Sequence, residues 1–257
     1  MKVTMLGCGP SMGVPAIGPD WGACDPRDPR NRRRRASLLV ENRDKTMLID
    51  TSPDLREQLL DAGVGRLDAV LMTHAHADHL HGIDDLRAIN RAIRAQIPLY
   101  ATEATLEEIE RRFGYALGPI PADGYFTGPS LAPHRIDGPF VAAGMNIVPF
   151  VQDHGYSTTL GFRIGPLGYS TDVIELDDAA FVALAGVDVW IVDCLRYEPH
   201  PTHAHVARTL DWIERVKPRR AILTHMDRPL DYAQLAAQLP PGVEPGYDGL
   251  VVEFPDP

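Results

Sequence analysis

Cysteine is scarce in this sequence. Its 257 residues hold three, Cys8, Cys24 and Cys194, with no close spacing between them, so neither a disulfide framework nor a cysteine metal knuckle follows from them. They read as reduced thiols of a cytoplasmic protein, with Cys194 a small buried filler at the end of an apolar run. Long apolar runs are missing as well. Nothing approaches the roughly 18 apolar residues of a membrane span, and the opening Met1-Lys2-Val3-Thr4-Met5-Leu6-Gly7 is too short in apolar residues for a signal peptide. Positive charge is in deficit: 25 basic against 35 acidic residues give a net charge of −10, which disfavours broad nucleic-acid binding. A local exception is the run of six arginines from Arg27 to Arg35. It reads as a solvated loop balanced by Asp25 and Asp28, and the sharper alternative is a rim that attracts phosphate.

What is present is a chain long enough to build its core without staples. Strands are expected at residues 3–6, 36–41, 46–50, 69–73, 147–151, 159–164, 167–170, 189–193, 220–224 and 250–253. The run 69–73 is apolar up to Thr73 and so buried on both faces. Helical spacing of Leu80, Ile83, Leu86, Ile89 and Ile93 predicts a helix over 80–95. Thr105, with Glu108 three residues on, predicts the capped start of another ending at Phe113. Further helices are expected at 206–216 and 232–239. Between residues 114 and 144 glycine and proline recur and periodicity fades, which predicts a long irregular, lid-like loop. No linker divides the chain, so residues 1–257 are expected to form one α/β domain, two mixed sheets face to face with helices outside.

The segment Thr73-His74-Ala75-His76-Ala77-Asp78-His79 carries the chemistry. Packing alone does not call for three imidazoles and a carboxylate in six residues, since burying ionisable groups together is costly unless something pairs them. A divalent cation pairs them well, and imidazole nitrogen with carboxylate oxygen suits Zn²⁺, Mn²⁺ or Fe. His154, Asp172 and His225 each follow a predicted strand. Strand ends at one sheet edge converge, so these residues can join the cluster. Five histidines and two aspartates suffice for two metals, with a carboxylate such as Asp172 as the shared ligand.

This pattern resembles the His-x-His-x-Asp-His signature of the metallo-β-lactamase-fold superfamily, and His154, Asp172 and His225 fall in order at its remaining ligand stations. The resemblance implies an αββα sandwich with a dinuclear site on its upper edge, filled by two divalent ions, Mn²⁺ or Zn²⁺. His74, His76, His154 and Asp172 would hold one ion, and Asp78, His79, Asp172 and His225 the other. Class B β-lactamases commonly place a cysteine at the Asp172 station, so β-lactam hydrolysis is disfavoured. Within the superfamily the chain looks closest to the phosphodiesterase branch of the phosphoribosyl 1,2-cyclic phosphate phosphodiesterase (PhnP-like) family. The stretches that carry this likeness are Leu6-Gly7-Cys8-Gly9-Pro10-Ser11-Met12-Gly13-Val14-Pro15, Ile49-Asp50-Thr51-Ser52-Pro53-Asp54, Asp78-His79-Leu80-His81-Gly82-Ile83-Asp84-Asp85-Leu86-Arg87 and Tyr247-Asp248-Gly249-Leu250.

That branch implies a metal-dependent hydrolase of a small or cyclic phosphodiester, with Asp78 and His203 as the residues closest to the chemistry. His203, in the short loop upstream of the last ligand, would protonate the leaving alkoxide, a task suited to an imidazole; His205 is its rival. Asp50, ending a strand beside the site, reads either as the acceptor of a hydrogen bond from a ligand imidazole or as an ordinary turn carboxylate. His81 and His134 read as surface or loop residues, His200 as a neighbour of the His203 loop, Arg87 and Arg91 as helix-surface cations, and Ser11 as part of a glycine-rich loop that can face an anion. The branch's structural zinc knuckle is not expected, because Cys24 stands alone and Arg228 takes the helper histidine's place. The competing readings are an RNA 3′-processing nuclease, for which the acidic chain lacks a basic arm, and a non-catalytic metal-bound carrier protein in cofactor biosynthesis. A small-molecule partner, no membrane and no nucleic acid are expected, with a homodimer as the base-rate assembly.

Overall fold

A computed structural model describes residues 1–120 and 127–255. Strands β1 (Lys2–Gly7), β2 (Ser37–Asn42), β3 (Lys45–Ile49), β4 (Ala69–Leu71), β5 (Ile97–Ala101) and β6 (Leu131–Arg135) form one sheet. The second contains β7 (Phe140–Ala142), β8 (Met145–Asp153), β9 (Thr158–Ile164), β10 (Leu167–Ser170), β11 (Val189–Asp193), β12 (Arg220–Thr224) and β13 (Val243–Pro245). The last strand, β14 (Val251–Glu253), returns to the first sheet beside β1, giving the orders β14-β1-β2-β3-β4-β5-β6 and β13-β12-β11-β10-β9-β8-β7. Strand β4 reads Ala-Val-Leu, wholly buried, because it pairs in parallel with β3 and β5 and is covered on both faces. β11 is likewise buried throughout between its parallel neighbours β10 and β12.

The two-residue period of a strand sorts the side chains into layers. Met47 and Ile49 face the second sheet and pack in one cluster with Phe162, Tyr169 and Ile191. Leu48, between them in sequence, turns to the outer face and packs with Leu55, Ile83, Leu86 and Ile109. On the far side Trp212, Ile213 and Leu235, from the helices Val206–Val216 and Tyr232–Gln238, cover the second sheet. The result is the layered arrangement expected: helices, sheet, sheet, helices. No helix among the described residues is long and apolar enough to cross a membrane.

Local differences from the sequence reading have physical causes. The single helix expected over 80–95 is divided into Ala77–Leu80, a 3-10 turn Ile83–Asp85 and Leu86–Ile93. Gly82 makes the break: its N–H donates to Thr51 O at 2.9 Å, and a Cβ there would stand 1.9 Å from Ser52 O. The next helix starts earlier than Thr105, at Glu103. Thr102 is its N-cap, accepting from Thr105 N at 3.2 Å, and Thr105 itself is buried. The stretch expected to be irregular contains β6 and β7. Pro133 lies in β6, tolerated because that strand is the sheet's edge. Residues 121–126 of the proposed lid lie outside the described residues.

The arginine run divides by environment. Arg27 and Arg30 pair with Asp25 and Asp28 on the surface, as the solvated reading expects. Arg33 is instead 1% exposed. Its guanidinium donates to the carbonyls of Met226, Asp227 and Leu230 at 3.3, 3.2 and 2.6 Å, clamping the loop that follows His225. Replacing Arg33 with Met removes every one of these donors while keeping an apolar stem. The expected cost is about 3 kcal/mol, read as a lower urea midpoint at unchanged slope. An unshifted midpoint would mean that those carbonyls find other donors.

Candidate metal centre

The site is assembled from chain segments just past the C-terminal ends of strands. β3 delivers Asp50, β4 delivers the 73–79 segment, β8 delivers His154, β10 delivers Asp172 and β12 delivers His225, while Asp193 is the last residue of β11. Three of these positions need a left-handed backbone: Asp50, Asp172 and His225 have φ of 64°, 55° and 57°. Such conformations cost energy for residues with a Cβ and tend to persist where surroundings enforce them, at functional sites above all.

Asp172 lies at the centre. Its Oδ1 faces His74 Nε2 at 3.9 Å and His154 Nε2 at 3.8 Å. Its Oδ2 faces His79 Nε2 at 3.0 Å and His225 Nε2 at 3.5 Å. Asp78 Oδ2 closes the second set, 3.4 Å from His79 Nε2 and 3.5 Å from His225 Nε2. Donor atoms of His74, His76, His154 and Asp172 lie within 4.8 Å of one another, and so do those of Asp78, His79, Asp172 and His225. The structure therefore brings together all seven residues singled out from the sequence, in the two quartets named there.

Around them sits a layer of hydrogen bonds. Asp50 Oδ2 meets His79 Nδ1 at 2.7 Å and accepts from Thr73 Oγ1 at 2.7 Å, while its Oδ1 accepts from Thr73 N at 2.8 Å. His154 Nδ1 donates to Thr202 O at 2.7 Å. Each bond on Nδ1 leaves Nε2 turned inward. The Nε2 atoms of His74, His79 and His225 are buried without a hydrogen-bond partner, an expensive state for three polar atoms in one cavity, and one that coordination to a cation would satisfy.

The electrostatics ask for positive charge. Burial opposes ionisation of Asp172 and Asp78, yet the imidazoles of His225 and His79 hold Asp172, and that of His79 holds Asp78, below the usual carboxylate range. Burial likewise disfavours charged His79 and His225, but Asp172 and its neighbouring carboxylates override it, lifting His79 well up and His225 to about 9. Burial, reinforced by charged His79, pushes His74 down, and burial pushes His154 down. Burial also pushes Asp50 up, against the pull of His79.

His203 joins this cluster. Its ring stacks on His225 at 4.7 Å and meets His154 edge-on at 4.8 Å, with Nε2 3.8 Å from Asp172 Oδ1. Its rival His205 instead occupies the N-cap position of the helix Val206–Val216 and belongs to neither quartet. His200 flanks His203 at 5.3 Å, His81 packs on Phe113 and His134 stacks on Tyr100. Arg87 donates to Thr127 O, away from the cluster. Cys24 Sγ lies 3.4 Å from Arg228 O and 3.5 Å from Leu230 O, and among the described residues no ligand group forms around it.

One residue was overlooked. Asp193 is fully buried, its Oδ2 3.1 Å from His203 Nδ1 and its Oδ1 3.9 Å from His225 Nδ1. The signal was there to read: a carboxylate closing an otherwise apolar strand, ahead of the histidine loop.

Comparison with known proteins places this geometry. A family model described as a beta-lactamase superfamily domain matches residues 45–226. A solved structure of a diphosphatase from the PhnP family superposes with a TM-score of 0.90 at 36% identity, covering 99% of this chain and 98% of that one. An octanoyltransferase of Porphyromonas gingivalis is 34% identical over 256 residues; the match takes in 97% of this chain but 51% of that protein, so the chain spans about half the length of that relative. A ribonuclease Z of Mycobacterium bovis is 26% identical over 224 residues, covering 76% of this chain and 71% of its own. Zn²⁺-bound PqqB from Methylobacterium extorquens shares the fold, with a TM-score of 0.74 at 18% identity over 99% of this chain and 100% of that one. The chain belongs to the beta-lactamase superfamily, in its PhnP-like branch.

Proposed function

We propose, on the premise of that membership, that the protein is a metal-dependent phosphodiesterase acting on a small or cyclic phosphodiester. The observation that carries the reading is Asp172, which turns one oxygen to each of two ligand quartets with His203 at its side. His74, His76, His154 and Asp172 would hold one divalent ion, Mn²⁺ or Zn²⁺, and Asp78, His79, Asp172 and His225 would hold the second. Ions of this kind lower the pKa of bound water to about 7 and offset the charge that builds on a phosphoryl group. The chain supplies the rest. Asp50 and Thr202 fix the ligand imidazoles through Nδ1. His203 gives its Nε2 proton to the leaving oxygen, and Asp193 holds the ring in the orientation for doing so. The diphosphatase likeness supports phosphoryl chemistry, since a disubstituted diphosphate presents the same singly charged diester centre. The thiols of Cys8, Cys24 and Cys194, all free and buried, support a cytoplasmic setting, and a homodimer is retained on base rates.

Protein loaded with Mn²⁺ or Zn²⁺ is expected to hydrolyse bis(p-nitrophenyl) phosphate and members of a cyclic-nucleotide panel. Stripping with a chelator should abolish turnover, and re-addition of either ion should restore it, with two ions per chain by mass spectrometry. An inert, fully loaded protein would sink the reading. The ribonuclease alternative is addressed by a gel shift with a tRNA precursor. A net charge of −10 predicts no tight, salt-sensitive complex.

A further inference from the structure

The last arginines of the run differ in what they leave free. Arg33 is committed to backbone carbonyls, and Arg34 pairs with Asp61 at 2.8 Å and Asp248 at 3.2 Å. Arg32 is exposed, over the Trp21 ring at 5.4 Å. Arg35 is held at one end only. Asp54 Oδ2 lies 3.0 Å from its Nε and accepts from its backbone N at 2.9 Å. Its terminal nitrogens, Nη1 and Nη2, have no hydrogen-bond partner among the described residues, and the side chain is 27% exposed. A guanidinium held at Nε keeps that end-on fork for bidentate bonds to an oxyanion.

The fork borders the metal centre. A cavity of about 430 Å³ is lined by Arg35, Ser11, Met12, Pro53 and Asp78 among others, within the ~300–1,000 Å³ usual for ligand pockets. Asp78 belongs to the second ligand quartet, so its charge is answered by the ion it would hold. Nearby acids are likewise engaged: Asp61 and Asp248 on Arg34, Glu57 on Arg56. A turn over residues 10–13 lies against the guanidinium. Gly13 N donates to Pro10 O at 2.8 Å, Gly13 has φ +68°, and a Cβ there would stand 3.7 Å from Arg35 Nη1. Ser11 in the same turn is exposed, and its hydroxyl has no partner among the described residues. A free cationic fork and a free hydroxyl thus face one cavity whose far wall is a metal ligand.

We propose that Arg35 sets substrate specificity: its Nη1–Nη2 fork, with Ser11 beside it, binds a second phosphoryl group on the retained part of the substrate while the scissile phosphoryl lies at the metal centre. This rests on the phosphodiesterase reading. The second oxyanion has two sources, the next phosphoryl of a diphosphate chain or a phosphate on a tethered alcohol, and tether length separates them. The test uses p-nitrophenyl phosphonoalkyl phosphates with tethers of one to four carbons, against uncharged n-alkyl esters of equal length, with Mn²⁺-loaded protein. Water adds to phosphorus and p-nitrophenolate leaves in every case. For at least one tether the phosphonate ester should exceed its alkyl counterpart in kcat/KM by about tenfold or more, mostly through KM, as expected for charge-assisted bidentate bonds. A maximum at one carbon assigns the diphosphate chain, and one at three or four the tethered phosphate; both uphold the role of Arg35. In Arg35→Met the ratio should fall by about fivefold or more. Arg35→Lys, which keeps a charge but no fork, should retain part of it. Arg32→Met, which removes an exposed cation of the same run, should leave the ratio in place. No preference at any tether, a ratio that survives in Arg35→Met, or one that falls equally in Arg32→Met overturns the proposal.

Turnover of none of the esters by the wild type would instead count against the phosphodiesterase reading. Arg35 then has its own readout. In Zn²⁺-loaded protein labelled with ¹³C at arginine Cζ, with the Arg35 signal assigned by its loss in Arg35→Lys, an alkane diphosphonate of one to four carbons should shift that signal and a monophosphonate of equal length should not. No differential shift overturns the proposal independently.

Discussion

Replacing His203 with alanine is expected to lower kcat for an alkyl phosphodiester by about 10²–10⁴-fold, the usual contribution of a general acid, while p-nitrophenyl esters lose far less. The asymmetry follows from the leaving group. An alkoxide needs a proton as the P–O bond breaks, and p-nitrophenolate departs without one. His203 is placed for that transfer, with Nε2 3.8 Å from Asp172 Oδ1 and Nδ1 anchored on Asp193 at 3.1 Å. The anchor matters because an imidazole with its Nδ1 proton committed to a carboxylate presents Nε2 to the substrate. Asp193→Asn should reproduce part of the same leaving-group dependence, and His205→Ala none of it, since His205 lies at a helix start outside the ligand groups. Equal losses for both classes of ester would assign His203 a structural role. No loss for either ester would mean that another group protonates the leaving oxygen, whereas a wild type that holds metal and turns over neither ester would favour the carrier reading. Metal content by mass spectrometry in each variant separates loss of the acid from loss of the ions.

Much of this centre was legible before any coordinates. Five histidines and two aspartates were identified because their types, their density and their places after apolar runs have no packing rationale. Strand ends converge by topology, so residues as distant as His74 and His225 could be assigned to one pocket. What escaped notice was context-dependent. Asp193 carries the same composition signal as Asp50, yet a lone carboxylate at a strand end is ordinarily a turn residue; only its distance to His203 gives it a role. The helix break at Gly82 depends on a contact with Ser52, thirty positions upstream, and no periodicity encodes that. Arg33 sits among five other arginines and differs from them through burial alone. Local pattern thus located the chemistry, while its supports came from long-range contacts that a linear reading does not hold.

One of those supports leads to the second large effect. Asp50→Asn is expected to weaken one of two metal-binding events by about 10–100-fold, the usual consequence of losing a carboxylate behind a ligand histidine. Both Asp50 and His79 are fully buried, so water cannot replace the lost partner. An asparagine oxygen in the Oδ1 position keeps the bond from Thr73 N. Its amide then stands where Oδ2 met His79 Nδ1 at 2.7 Å, so a donor faces a donor. His79 can escape only by moving its proton to Nε2, the atom that lies 3.0 Å from Asp172 and 3.4 Å from Asp78. Coordination through that nitrogen would then require deprotonation first. Calorimetric titration of chelator-stripped protein with Zn²⁺ should show two events in the wild type. In the variant the event assigned to His74, His76 and His154 should persist, and the one assigned to Asp78, His79 and His225 should weaken. Equal weakening of both would place Asp50 behind the whole cluster, and unchanged binding would mean that His79 takes no part in holding an ion.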